Sequence, residues 1–376
     1  MCMPPQQTTS APPSAPPEMN AGGTSHLGPW MGAAALVAIL ILGGIAYWYF
    51  GSSPGATEPK TIGVIHFRQQ HDAFVGFKKG LEKYGLDDVI IREKMIVVGP
   101  DLPVEMGRAV GELLDEGVDL LWLSLELQAK VALEMTRERG LDTPIVFLTR
   151  FHDPVEYGLV ESFRSSGNNA TGVATNMIPV VQRTIEFFKE INPEAKRIGI
   201  FSKGFQVPDV GGRFFEEWKT QAPRFGMQIV EYTTSVPPPE AEAEFHRVAA
   251  TIKSGEIDGL VHIPGHFYDL QEKGESELAI RLGIPMASPF EDMPNGGHFT
   301  YTDNFGLSGE QSVAMIDKIF KGAKPSDIPV EYGAESILIL HLGRAAEADY
   351  DFSDNMLFIA RHKLETDADF AKIEYY

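Results

Sequence analysis

The chain has 376 residues, with 32 Lys and Arg against 52 Asp and Glu, a formal net charge of −20. That length suits an anchor segment plus one large or two medium domains. A surface this acidic repels phosphates and excludes nucleic acid as a partner, and the single cysteine, Cys2, permits no disulfide within the chain.

Residues 1–29 are rich in Pro, Gly, Ser, Thr, Ala and Gln and read as a disordered tail, with too little apolar surface to bury. Trp30 to Phe50 is a span of 21 residues without a charge. As a helix it measures about 30 Å, the thickness of a bilayer core. Trp30 marks one end, and Tyr47, Trp48, Tyr49 and Phe50 crowd the other, as interfacial aromatic belts do. The tail lacks the basic residues of a secretory signal, and bulky aromatics stand where a cleavage site needs small ones, so residues 30–50 are expected to stay as a transmembrane anchor. The nearest bases, Lys60 and Arg68, lie on the C-terminal side and by themselves favour keeping that side in the cytoplasm. Residues 51–59 form a short flexible linker.

Strands and helices then alternate. Thr61–Phe67, Val89–Val98, Leu120–Leu123 and Ile145–Leu148 read as strands, and Phe74–Tyr84, Val104–Glu116 and Leu127–Arg139 as helices. This order predicts an α/β fold with a parallel sheet flanked by helices. After Leu148 the chain leaves the strand through Thr149 to Asp153, and in an open parallel sheet such an exit is where ligands are met. The turn Ser165–Asn169 allows a sharp reversal through positive φ, and Thr171–Ala174 starts another strand. The rhythm then restarts. Val180–Ile191, Gly211–Phe225, Glu240–Lys253 and Glu275–Leu282 read as helices. Arg197–Phe201, Met227–Tyr232, Gly259–Ile263, Pro285–Ala287 and His298–Thr302 read as strands. Leu307–Phe320 reads as a helix returned to the first half, and Ser336–Leu340 as its closing strand.

Three stretches carry a family resemblance. Asp153-Pro154-Val155, then Leu159-Val160 with Ser162, then Gly167-Asn168 running into Ala170-Thr171-Gly172-Val173, form the first. Pro193 to Gly199 is the second, and Gly306–Pro329, ending Lys-Gly-Ala-Lys-Pro-Ser-Asp-Ile-Pro, is the third. In this order they resemble the ABC-transporter substrate-binding proteins of the tryptophan- and tyrosine-binding type, over roughly residues 60–345. The resemblance implies a two-lobed, type I periplasmic-binding fold. Lobe 1 would hold residues 60–173 and 303–346 and lobe 2 residues 174–302, with crossovers near Thr171–Thr175 and Thr300–Asp303. Residues 347–376 form an extension that pattern alone leaves unplaced. It further implies a monomer on the periplasmic side of the inner membrane, partnered by an ABC permease.

No chemistry-bearing motif points to an enzyme. There is no Gly-x-x-x-x-Gly-Lys phosphate loop, no His-Glu-x-x-His pair and no Gly-x-Ser-x-Gly elbow. His262 and His266 are four apart, but Pro264-Gly265 between them rules out one helical face, and neither a metal nor any other cofactor is expected. What remains is a ring of strand ends. Lobe 1 offers Phe67, Gln69, Ser124, Glu126, Arg150 and Asp153 as ligand contacts. Lobe 2 offers Lys203, Phe205, His266, Phe267, Glu291 and Asp303. Such a cleft suits a small polar or amphipathic ligand. Arg150 or Lys203 can hold a carboxylate, an acid among them an ammonium, and the phenylalanines can stack. The competing reading of Asp153 is a helix or turn cap.

Where amino-acid-binding members carry Thr-Pro-x-x-Gln, this chain has Ser124-Leu125-Glu126-Leu127-Gln128, and Phe201-Ser202-Lys203-Gly204-Phe205 replaces their Tyr-Asn turn. These departures point away from an amino-acid ligand, and the added bases point to an anionic or more polar one. Solute capture for an importer is the leading expectation. A sensory domain acting through a partner protein is the alternative.

Overall fold

The computed structural model describes residues 59–67, 71–97, 101–202, 208–233, 238–263 and 271–373, with backbone alone at 208–211, 238, 239, 241, 271 and 290–292. The predicted anchor, 30–50, lies outside these residues. No helix among the described residues is long and apolar enough to cross a membrane.

The first lobe is built on β1 (Thr61–Phe67), α1 (His71–Lys83), β2 (Ile90–Ile96), α2 (Leu102–Asp115), β3 (Leu120–Leu123), α3 (Glu126–Arg139), β4 (Ile145–Leu148) and β5 (Ala170–Ala174). β3 (Leu-Leu-Trp-Leu) and β4 (Ile-Val-Phe-Leu) are buried at every position, as strands covered by helices on both faces must be. α3 starts one residue earlier than the apolar pattern indicates. The Gln128 side chain accepts the Leu125 amide at 3.1 Å and so satisfies an N-terminal donor.

The second lobe begins with α4 (Met177–Ile191), β6 (Arg197–Phe201), α5 (Pro208–Gln221), β7 (Gln228–Tyr232), α6 (Pro238–Ala249), β8 (Gly259–Val261), α7 (Gln271–Leu282), β9 (Met286–Ala287) and β10 (Phe299–Asp303). The chain returns to lobe 1 through α8 (Phe305–Phe320) and β11 (Glu331–Tyr332), then ends as β12 (Ser336–His341), α9 (Leu342–Glu347), α10 (Asp354–Ile359) and β13 (His362–Leu364).

Sheet order is β11-β5-β4-β3-β1-β2 in lobe 1 and β13-β12-β10-β9-β8-β6-β7 in lobe 2. Every pairing is parallel except β10 with β12. Two expectations change here. Ser336–Leu340 does not close the first sheet. It runs antiparallel to β10 in the second, Phe299 opposite Leu340, because the chain crosses back once more after β11. The extension beyond 347, left unplaced by pattern, supplies β13 at the edge of that same sheet.

The lobes are joined by three crossings, at 174–177, 303–305 and 332–336. They are laced together: Asn304 N donates to Glu335 O at 2.8 Å and Gly333 N to Ala174 O at 3.1 Å. In lobe 1, α1 and α8 approach until backbones touch. A Cβ on Gly76 would lie 1.8 Å from Gly306 O, and one on Gly309 would lie 2.1 Å from Ala73 O. Only glycine permits that separation. It brings the first turns of α1 and α8 side by side at the cleft.

Candidate functional site

Arg150 leaves β4 between those two first turns. Its side chain is 1% exposed, and Nη2 donates to Asp72 Oδ1 of α1 at 3.1 Å. The guanidinium carbon sits 3.6 Å from the ring centre of Phe305, the first residue of α8. Arg150 is thus held by charge on one side and by a cation–π contact on the other.

The loop carrying Arg150 is pinned from below by Glu126. This fully buried carboxylate accepts Arg150 N at 2.9 Å through Oε2. Its Oε1 meets Phe151 N at 3.0 Å and His152 Nδ1 at 2.9 Å. Both oxygens are occupied by the protein's own donors, so Glu126 shapes the cleft floor and is not presented to a ligand. Asp153 takes the capping role, Oδ1 accepting the amides of Val155 and Glu156 at 2.8 and 3.1 Å. The stretch after it is a series of turns without a helix, and Gly167 reverses it at φ 70.

A cavity of about 60 Å³ lies at the hinge end of the cleft. Arg150, Phe151 and Phe305 line it from lobe 1, Thr175 from the first crossing, and Thr302 from the end of β10. From lobe 2, α4 contributes Met177, Val181 and Thr184, α5 contributes Phe214 and Trp218, and the ends of β8 and β9 contribute His262 and Ser288. Tyr301 completes the aromatic lining. His262 Nδ1 meets Glu275 Oε2 at 2.5 Å with both side chains buried. The Trp218 indole nitrogen is buried with no hydrogen-bond partner among the described residues. Among the described residues, an aromatic contact and an ion pair cross the cleft. Phe151 and Phe214 meet edge to face, 6.5 Å between ring centres, and Arg213 Nη2 reaches Glu156 Oε2 at 3.0 Å.

At about 60 Å³ the cavity is well below the roughly 300 Å³ of a small-molecule pocket. A ligand of amino-acid size therefore needs the lobes further apart or the lining shifted.

The predicted contacts divide. Arg150 lines the cavity, but Asp72, a residue absent from the sequence-based set, already meets its charge. Phe67 is a core side chain packed with Leu113, Leu123 and Phe147. Ser124 is fully buried. Asp303 is 6% exposed and turned to the hinge, where Ser336 Oγ donates to it at 2.7 Å. Burial raises its pKa above the ordinary carboxylate value, against hydrogen bonds from Ser336, Thr175 and the Asn176 amide that lower it. Gln69, Lys203, Phe205, His266 and Phe267 lie outside the described residues, as does the side chain of Glu291. Sequence reasoning missed Phe214, Trp218, Thr184 and Ser288. Helix pattern marks the first three as core positions, and only the fold turns them toward the cleft. No group of three or more His, Cys, Asp or Glu that could hold a metal occurs among the described residues.

Comparison with known proteins follows the same lines. The family model described as ABC transporter substrate binding protein matches residues 64–364. A tyrosine-binding protein of Clostridioides difficile (strain R20291) is 31% identical over 290 residues, covering 76% of this chain and 79% of that one. Among solved structures, an ABC domain from Streptococcus pneumonia in complex with L-Trp superposes with a TM-score of 0.65 at 19% identity, covering 81% of this chain and 99% of that one. The ligand-free, open structure of a substrate-binding protein with adhesive properties from Clostridium difficile gives 0.62 at 20% identity, covering 82% and 99%. These likenesses match the two-lobed, type I periplasmic-binding architecture described above.

Proposed function

The chain belongs to the ABC transporter substrate-binding protein family, a family of binding proteins rather than enzymes, and from that membership we propose that it captures an aromatic amino acid between its lobes for an ABC importer. The observation that carries this reading is the aromatic cavity, whose Arg150 already has Asp72 as a partner. Phe151, Phe214, Trp218, Tyr301 and Phe305 supply faces and edges for a ring. Arg150 has Asp72, and His262 meets Glu275, so each of these two bases has a buried acid beside it. Such a balance favours a ligand of no net charge, a zwitterion, over the anion that the added bases suggested. The names of the tyrosine-binding relative and the L-Trp complex support the same ligand class.

We further propose that residues 30–50 anchor the monomeric protein to the inner membrane with its binding domain in the periplasm, facing a permease. The uncharged 21-residue span supports the anchor, while the periplasmic side and the permease are proposed from family membership, against the local bias of Lys60 and Arg68. Gln69, Lys203, Phe205, His266, Phe267 and Glu291 stay candidates for ligand contact on the sequence argument alone.

Thermal unfolding with L-tyrosine and L-tryptophan tests the ligand class, set against tyramine and 3-(4-hydroxyphenyl)propionate as cation and anion. A ligand at a hundred times its Kd stabilises the folded state by about 2.7 kcal/mol. The zwitterions should raise Tm and the two charged analogues should not. A Tm unmoved by either amino acid overturns the ligand class.

A further inference from the structure

One wall of the cavity is held from behind by the C-terminal segment. Ser288 lines the cavity at the end of β9; the chain then turns through the 3-10 helix Phe290–Asn295 and enters β10. Arg344 of α9 gathers that turn. Nη1 donates to Met293 O at 2.6 Å and to Gly297 O at 2.7 Å, and Nη2 donates to Pro294 O at 2.9 Å. Nη2 also reaches Asp367 Oδ1 at 2.6 Å. His341 Nδ1 accepts the Arg344 amide at 3.1 Å, so its proton sits on Nε2, which donates to Asp367 at 3.0 Å.

A second, apolar observation joins the same parts. Met293 is fully buried in a small cluster with Ile337, Ile339, Leu364, Ile373 and Phe370, separate from the main lobe cores. The turn has no slack toward the cavity: a Cβ on Gly297 would lie 2.0 Å from Ser288 Oγ and 2.6 Å from Met293 Sδ. A displacement of the turn is therefore transmitted to Ser288 by contact.

We propose that Arg344 and Asp367 are positioning residues for the ligand. They hold the Ser288–Gly297 turn in the shape that completes the cavity wall, so affinity depends on a pair that is not among the cavity's described lining. This rests on the cavity being the ligand site.

The test uses the full chain with Arg344→Met, Arg344→Lys and, as a matched loss of stability in the distant lobe-1 core, Val110→Ala. Calorimetric Kd values are measured for L-tyrosine and L-tryptophan, and amide hydrogen exchange is followed over residues 288–297. Arg344→Met should weaken binding at least tenfold. Arg344→Lys should recover part of that, since a point charge replaces only some of the fork's bonds. Val110→Ala should bind like the parent. Exchange over 288–297 should rise in the Arg344 variants alone. If Arg344→Met binds as the parent does, or its turn exchanges no faster, the proposal is overturned. If the parent binds neither amino acid, the ligand class above fails, and the exchange measurement still decides this proposal. Should Arg344→Met not fold, Asp367→Asn carries the test, with a smaller loss in the same direction expected and no change in either readout overturning it.

Discussion

Ser336 Oγ donates to Asp303 Oδ1 at 2.7 Å, and this bond ties one crossing of the hinge to another. On the remaining crossing the Thr175 hydroxyl donates to Thr149 O of lobe 1 at 2.8 Å, while Thr175 and the Asn176 amide act on the Asp303 carboxylate by lowering its pKa. One buried acid therefore ties two of the three crossings directly.

Replacing that acid should loosen the hinge. Asp303→Ala leaves buried donors without an acceptor, at about 1–3 kcal/mol, measurable as a shift in the urea midpoint. The pH dependence has a definite sign. Burial raises the folded-state pKa above the unfolded value, so the folded state binds the proton more tightly. The associated stability is present below the ordinary carboxylate pKa and is lost as pH rises through the raised one. Parent stability should fall relative to Asp303→Asn over that window and level off above it. A difference that grows in the opposite direction would count against the assignment.

The Arg150–Asp72 pair yields a stability prediction. Arg150→Ala leaves Asp72 buried and uncompensated, which costs about 3–5 kcal/mol where one partner of a buried pair is removed. Arg150→Met combined with Asp72→Leu should restore much of the loss, because the pair can be replaced by apolar volume more readily than broken. Equilibrium denaturation of the single and double variants measures this. A stable Arg150→Ala variant would show that the pair is not held as described.

Glu126 should behave as a structural carboxylate. In Glu126→Gln one of the two accepting oxygens becomes an amide donor facing donors, so stability should drop by about 1–3 kcal/mol. Exchange should rise at the amides of Arg150 and Phe151. Unchanged protection at these two amides would refute the role.

Closure of the cleft should depend on Phe214 more than on Arg213. The Arg213–Glu156 pair is exposed, and such pairs contribute about 0–1 kcal/mol. Phe214 packs against the apolar clusters of both lobes. Small-angle scattering should give a larger radius of gyration for Phe214→Ala than for the parent, with Arg213→Ala close to the parent. Equal radii for all three would argue against the ring as the closing contact.

Much of the architecture is local and was therefore readable from sequence. Short apolar runs bounded by turn residues, such as Ile145–Leu148, read as strands covered on both faces, and their alternation with amphipathic helices points to a parallel sheet. The Asp153 cap and the Gly167 reversal are equally local, since each involves residues within a few positions of one another. The site was legible only as strand ends. Arg150 could be placed at one of them, but its partners, Asp72 and Phe305, come from helices far away in sequence. Those helices meet because Gly76 and Gly306 let their backbones touch. Ser336–His341 joins the second sheet for the same kind of reason. Its residue pattern serves either sheet, and the three crossings decide which one it pairs with. Propensity and periodicity act over one element, whereas the charge balance of the cavity and the buttress behind Ser288 arise only when distant elements exclude water together.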